Sequence, residues 1–268
     1  MNPAWLLGVT LLLPPASGVS VRVVTPPAET DYGWSAPRLA LGADGALWFL
    51  HDGSEAANFT AGYRLRSRVP LDDVAALEGV GPVYASGGDL GYLVVDGPAQ
   101  AAFQPIAELP VEDARLFSGS AGALYVAGRG KGEGDYELWA LLPGAEGPRW
   151  KKLLSSTERI AAAAGDGTEH FAAIGRLVGK IEGGRFSGVF LHPDEAVTAL
   201  AFAKRLGLVY ATASGAGVAG PEGSVPFLIA ERPEPLVRGE NLYLFLPGSM
   251  TVLLVEHASA LRAAPRKL

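Results

Sequence analysis

The chain has 268 residues, 49% hydrophobic and 19% charged, with a net charge of −6. That balance excludes a disordered chain, and the mixed, mildly acidic charge lacks the basic stripe that nucleic-acid binding needs. With no cysteine there is no disulfide framework, thiolate metal site, cysteine nucleophile or cysteine lipid anchor, while 35 glycines and 20 prolines suit many short strands joined by turns.

Residues 1–18 read as a secretory signal. Ala4 to Leu13 is an apolar run of signal length, Pro14 and Pro15 break it, and Ala16, Ser17 and Gly18 offer small residues for cleavage. The first residues carry no Lys or Arg, so an uncleaved anchor or a buried N-terminal strand is the alternative. The run is too short to cross a bilayer comfortably, and no later run of about 18 apolar residues exists. The mature chain is therefore expected in the periplasm or secreted, without a membrane span.

Next comes "TDYGWSAP", which places Tyr32 and Trp34 just before the first strong strand signal. Exposed aromatics there would stack on a sugar or clamp a peptide; otherwise they pack at the closure of the fold.

"RLALGADGALWFL", Arg38 to Leu50, is an apolar run, an Asp-Gly turn and a second apolar run. It has relatives at Pro82–Val95, Arg115–Ala127, Arg159–Ile174, Val197–Thr212 and Leu236–Leu246. Their turn anchors are Gly45, Gly91, Gly122, Gly167, Gly207 and Asn241, spaced by 46, 31, 45, 40 and 34 residues. The mean lies close to the roughly 40–50 residues per blade of propeller repeats. The segments between them, such as Arg176–Leu191 with its Gly183-Gly184 turn and Gly217–Ala230, supply outer hairpins. The expectation is an all-β fold: a six-bladed β-propeller of four-stranded antiparallel blades over residues 19–258, with a tail at 259–268. Burial on both blade faces explains why the inner strands are nearly all apolar. "PLDDVAALEG" and "KKLLSSTERIAAAA" contain good helix formers, but the repeat places Arg159 onward in a strand. An open propeller would expose sheet edges, so Val21–Val24 of the mature N-terminus is expected to complete the last blade, with Ser259–Ala264 as its competitor.

"SAPRLALGADGALWFL" resembles the blade motif of six-bladed propellers of the NHL, gluconolactonase-like and streptogramin B lyase type. The resemblance covers most of residues 36–256 as a structural repeat and carries little functional specificity. It implies a divalent cation held by Glu, Asn and Asp in the gluconolactonase-like members, and a histidine near the channel in the lyases. Here the asparagines are Asn2, Asn58 and Asn241, and the histidines His51, His170, His192 and His257. None matches a catalytic position. No catalytic residue, metal site or cofactor is assigned.

Three arginines, Arg38, Arg115 and Arg159, precede the inner hairpins of the first, third and fourth blades. Equivalent positions would face one channel mouth, where forked guanidiniums suit a carboxylate or phosphate ligand. Local ion pairs are the competing reading, since Asp113 and Glu158 stand within two residues of Arg115 and Arg159. His192, Asp194 and Glu195 form a second candidate corner, pH-sensitive or metal-binding. The glycine-rich "GRGKGEGDYELW" reads as a solvated hairpin loop, and Asn58-Phe59-Thr60 carries no weight as a glycosylation site. The expected function is an exported, monomeric, non-catalytic propeller that binds or scaffolds a protein, peptide or envelope component. A hydrolase or lyase with an unrecognised channel site is the alternative. A carbohydrate-binding propeller resting on Tyr32 and Trp34 is a third.

Overall fold

A computed structural model describes residues 10–12, 19–24, 38–51, 53–132, 134–143, 148–192, 194–220 and 223–263. Among the described residues the regular elements are β-strands, apart from two short 3-10 turns, Pro247–Ser249 and Ala258–Ala263. The chain divides into two compact units, Pro26–Arg159 and Met1–Thr25 with Ile160–Leu268.

Unit Pro26–Arg159 holds three antiparallel meanders of four strands. The first is Arg38–Leu41, Leu47–His51, Glu55–Asn58 and Tyr63–Ser67; the second is Asp73–Leu77, Gly81–Ser86, Asp89–Gly97 and Gln100–Glu108. The third is Val111–Ser118, Leu124–Gly130, Tyr136–Leu142 and Arg149–Ser156. A short parallel contact, Gln100 with Arg66 and Ala101 with Ser67, joins the outer strands of the first two into one sheet.

The other unit has the same grammar. Its fourth meander is Ile160–Gly165, His170–Ile174, Leu177–Glu182 and Arg185–Leu191. The fifth is Ala199–Ala203, Gly207–Ala211, Gly215–Gly220 and Gly223–Ile229, extended at its outer edge by Thr10–Leu11. The sixth is Glu234–Arg238, Asn241–Leu246 and Thr251–Glu256, completed by Ser20–Val24 from near the N-terminus. Val21 pairs with Val255 and Val23 with Leu253, so the expected closing strand is in place. Its competitor lost: Ala258–Ala263 winds into a 3-10 turn.

The Asp-Gly signal works through two atoms at once. Asp44 Oδ1 accepts the Ala46 N–H at 2.9 Å, and Asp166 Oδ1 accepts the Thr168 N–H at 2.9 Å. The glycine between takes a left-handed φ, 87° at Gly45 and 84° at Gly167, which L side chains resist. Two expected turns sit elsewhere. The second inner hairpin is Asp73–Leu77 with Gly81–Ser86, turning through Gly79, and Gly91 lies inside the next strand. In the sixth, Gly239 with φ 61° and Glu240 make the turn, and Asn241 begins the strand opposite Arg238.

Inner strands are buried nearly throughout. Ala162, Ala163, Ala172 and Ala173 are all inaccessible to solvent, and their small side chains let neighbouring layers approach. The outer strands use glycine the same way. A Cβ on Gly179 would clash with the Phe186 ring on the adjacent strand. Gly179→Ala is expected to destabilise the chain by about 1–3 kcal/mol through overpacking, read as a lower urea midpoint at unchanged slope.

Candidate functional site

The registers define one repeat position in structural terms. Arg38 pairs with Leu50, Asp73 with Ala85 and Arg115 with Ala127, each partner twelve residues on. One position of three successive meanders therefore carries Arg, Asp and Arg. In the fourth meander, aligning Asp166 on Asp44 puts Ile160 at this position, and in the fifth Ala199 pairs with Ala211.

Asp73 is the centre of this row. Its carboxylate is buried, with 6% of the side chain exposed. Oδ1 lies 3.3 Å from Arg38 Nε and accepts the Val74 N–H at 2.9 Å; Oδ2 accepts the Leu116 N–H at 2.8 Å. Arg38 Nη2 donates to the Leu116 carbonyl at 3.1 Å. Close by, Ser118 Oγ accepts the Ala76 N–H at 2.8 Å. One buried ion pair thus stitches the innermost strands of three meanders together. The Val74 and Leu116 N–H bonds to this carboxylate are charge-assisted, a class about twice as strong as neutral ones.

The three expected arginines have different fates. Arg38 is ion-paired to Asp73, so its charge is locally balanced. Arg115 is half-buried with its guanidinium 5.8 Å from the Phe117 ring centroid, and Asp113 faces Arg129 at 3.9 Å. Arg159 is exposed and precedes its strand by one residue, outside the repeat position. Arg38 reaches the residue after Arg115 by donating to the Leu116 carbonyl. Tyr32 and Trp34 lie outside the described residues. Sequence reading missed Asp73 because the second hairpin was anchored on Gly91, twelve residues beyond the Gly79 turn, and only the strand register aligns Asp73 with Arg38.

The His192 corner is built as a turn. His192 Nδ1 accepts the N–H groups of Asp194 and Glu195 at 3.3 and 3.0 Å, and the ring stands edge-on to Phe190 and Tyr210. Glu195 Oε2 accepts the Ser214 N–H at 3.1 Å. Bonds from Thr212 and Ser214 hold the Glu195 carboxyl below its ordinary range. These contacts tie the fourth meander to the fifth. Among the described residues no three of His, Asp or Glu cluster in a way that could hold a metal ion.

A second buried carboxylate lies in the third meander. Glu137 Oε2 accepts from Trp139 Nε1 at 2.8 Å, and Oε1 pairs with Lys152. Burial alone would raise this carboxyl, but the bonds from Lys152 and Trp139 prevail and lower it. A lowered folded-state value means that the contribution is complete above the range of an unfolded glutamate. It is lost as pH falls through the lowered value. Unfolding free energies measured from pH 7 to 3 should therefore fall less steeply in Glu137→Gln than in the wild type.

Solved structures locate this architecture among known proteins. The chain is similar to a PQQ-bound aldose sugar dehydrogenase from Streptomyces coelicolor, with TM-score 0.58 and 15% identity over 91% of this chain and 99% of that one. It is similar to a gluconolactonase from Xanthomonas campestris, with TM-score 0.59 and 10% identity over 88% and 89%. It is also similar to virginiamycin B lyase from Staphylococcus aureus, with TM-score 0.56 and 13% identity over 89% and 99%. The chain has the β-propeller fold. Its meanders are blades, as the repeat implied, and at these identities the likeness is one of fold alone. No protein-family model and no curated protein matches the sequence.

The blade edges are the other feature with chemical reach. The second blade's outer hairpin is long, nine residues in each strand. Val95 is 61% exposed, and Val94 and Ile106 of the same hairpin are exposed as well. Pro105 sits within the last strand, where its missing N–H is tolerated at an edge. Arg68 and Asp96 close one end with a 2.7 Å ion pair.

Proposed function

We propose that the chain is an exported, non-catalytic propeller that binds a protein or peptide partner. The observation that carries this reading is the outer hairpin Asp89–Glu108, which presents Val94, Val95 and Ile106 to solvent on strands longer than the inner ones. Large apolar side chains exposed on one protruding hairpin are candidate contacts for a partner. The leader-like residues 1–18 support export. An anionic ligand at the Arg38–Arg115 end is a weaker part of the reading, because Asp73 already balances Arg38. The test is capture of partners from the cell envelope with the tagged chain, against a chain carrying Val95→Asp and Ile106→Asp. Loss of a specific partner in the variant supports the reading. Identical capture by both chains overturns the role of this hairpin.

A second reading, a propeller hydrolase or lyase, is favoured by one finding: the similar solved structures include a gluconolactonase and virginiamycin B lyase. Its test is turnover of sugar lactones and cyclic depsipeptides with and without added divalent cation. Turnover of either substrate by the purified chain well above the uncatalysed rate would establish this reading over the first, and none would overturn it.

A further inference from the structure

The outermost strands of the blades differ in one respect. Five carry charge: Arg64 and Arg66 in the first, Glu108 in the second, Arg149, Lys151 and Lys152 in the third, Arg185 in the fourth and Arg22 in the sixth. The fifth, Gly223–Ile229, reads "GSVPFLI" and carries none. Charged residues, prolines and bulges keep natural sheet edges from recruiting strands; this edge has no charge, and its Pro226 and the bulge beside it leave the Phe227–Ile229 end as the part open to pairing. It is not bare in the full chain. Thr10 pairs with Ile229 and Leu11 with Leu228, antiparallel, and the Leu12 N–H donates to the Phe227 carbonyl at 2.8 Å. Leu11 also packs against the hydrophobic core of this unit. The described pairing stops at Phe227, while the strand runs on to Gly223.

The segment seated there belongs to the run that reads as a signal peptide. Its removal after Gly18 would uncover an uncharged edge and the apolar surface against which Leu11 packs, here called the leucine slot. We propose that the outer edge of Gly223–Ile229 is a strand-addition site for an extended apolar peptide of a partner protein, and that Thr10–Leu12 fills it until the leader is removed. The peptide adds antiparallel, with a branched apolar side chain where Leu11 sits and any small residue where Thr10 is exposed. Main-chain bonds supply affinity and the leucine slot supplies selectivity. The proposal rests on the binding-module reading but concerns a different edge from the Asp89–Glu108 hairpin.

The test uses the full chain, produced without export so that residues 10–12 are retained. The probe is a fluorescein-labelled peptide of residues 8–12 flanked by lysine pairs for solubility, read by anisotropy. Leu12→Pro removes the N–H given to Phe227 and frees the edge, so the variant should bind the probe at least about tenfold more tightly than the wild type. Adding Ile229→Asp to Leu12→Pro should return binding to baseline. Equal binding by wild type and Leu12→Pro, or binding indifferent to Ile229→Asp, overturns the proposal. Hydrogen exchange on the wild type decides independently of how the variants fold. Excess unlabelled peptide should speed exchange at the Leu12 amide while 223–229 stays protected; unchanged exchange at Leu12 overturns the proposal. A partner captured through Val95 and Ile106 but indifferent to Ile229→Asp leaves the binding-module reading standing while this edge fails.

Discussion

Asp73→Ala is expected to lower the unfolding free energy by about 3–5 kcal/mol, the cost typical of removing one partner from a buried ion pair. The arithmetic follows from what the carboxylate does. It accepts two backbone N–H groups, from Val74 and Leu116, and faces Arg38 Nε at 3.3 Å. Alanine takes the facing carboxylate from a largely buried guanidinium and removes the acceptor that two strand N–H groups use. Asp73→Asn separates charge from hydrogen bonding. The amide oxygen can still accept from Leu116, so the loss should be smaller, and the difference between the variants measures the charge. Arg38→Ala should cost less than Asp73→Ala, because Asp73 would keep its two backbone donors. Equilibrium denaturation of the three variants checks the order. Asp73→Ala unfolding with the wild type would show that the network holds nothing together.

The blade grammar was legible because its signals are local. An Asp side chain capping the N–H two residues on, with a left-handed glycine between, leaves the same mark at Asp44-Gly45 and Asp166-Gly167. Gly183-Gly184 marks an outer hairpin equally well, with Glu182 opposite Arg185 across the turn. The second blade was misread where those signals compete. Gly79, Gly81, Gly87, Gly88 and Gly91 crowd one stretch, and only the pairing register decides which of them turn the chain. Registering on Gly91 hid Asp73, and so hid the partner of Arg38. The arginines were visible as a repeat position, but their meaning depended on an acid 35 residues away, which no local pattern links to Arg38. The edges were least legible. A strand reads the same in sequence whether or not a neighbour covers it, and the pairing of Thr10–Leu11 with Gly223–Ile229 spans most of the chain.

Beginning the chain at Pro26 is expected to cost several kcal/mol and to broaden or abolish cooperative unfolding of the unit that holds the sixth blade. Ser20–Val24 pairs with Thr251–Glu256 at five positions, from Ser20 with Glu256 to Val24 with Val252. Each ladder bond is worth about 0.5–1.5 kcal/mol net, so the strand contributes about 3–7 kcal/mol before packing is counted. Packing adds to this. Val21 and Val23 lie against the core shared with Leu253 and Val255, which are buried and would gain a solvent face. The strand also ties residues near the N-terminus to a sheet made from the C-terminal end of the chain. The chain therefore cannot fray from the sixth blade without giving up bonds to both segments. Val23→Asp is the milder test. It keeps the strand length and ladder but places a charge opposite Leu253, and should destabilise by more than Arg22→Asp on the neighbouring position of the same strand. Thermal melts of the truncated chain, Val23→Asp and Arg22→Asp give the ranking. A truncated chain that melts with the full one would mean that the last sheet is complete with three strands, and that Val21–Val24 is a passenger on its edge.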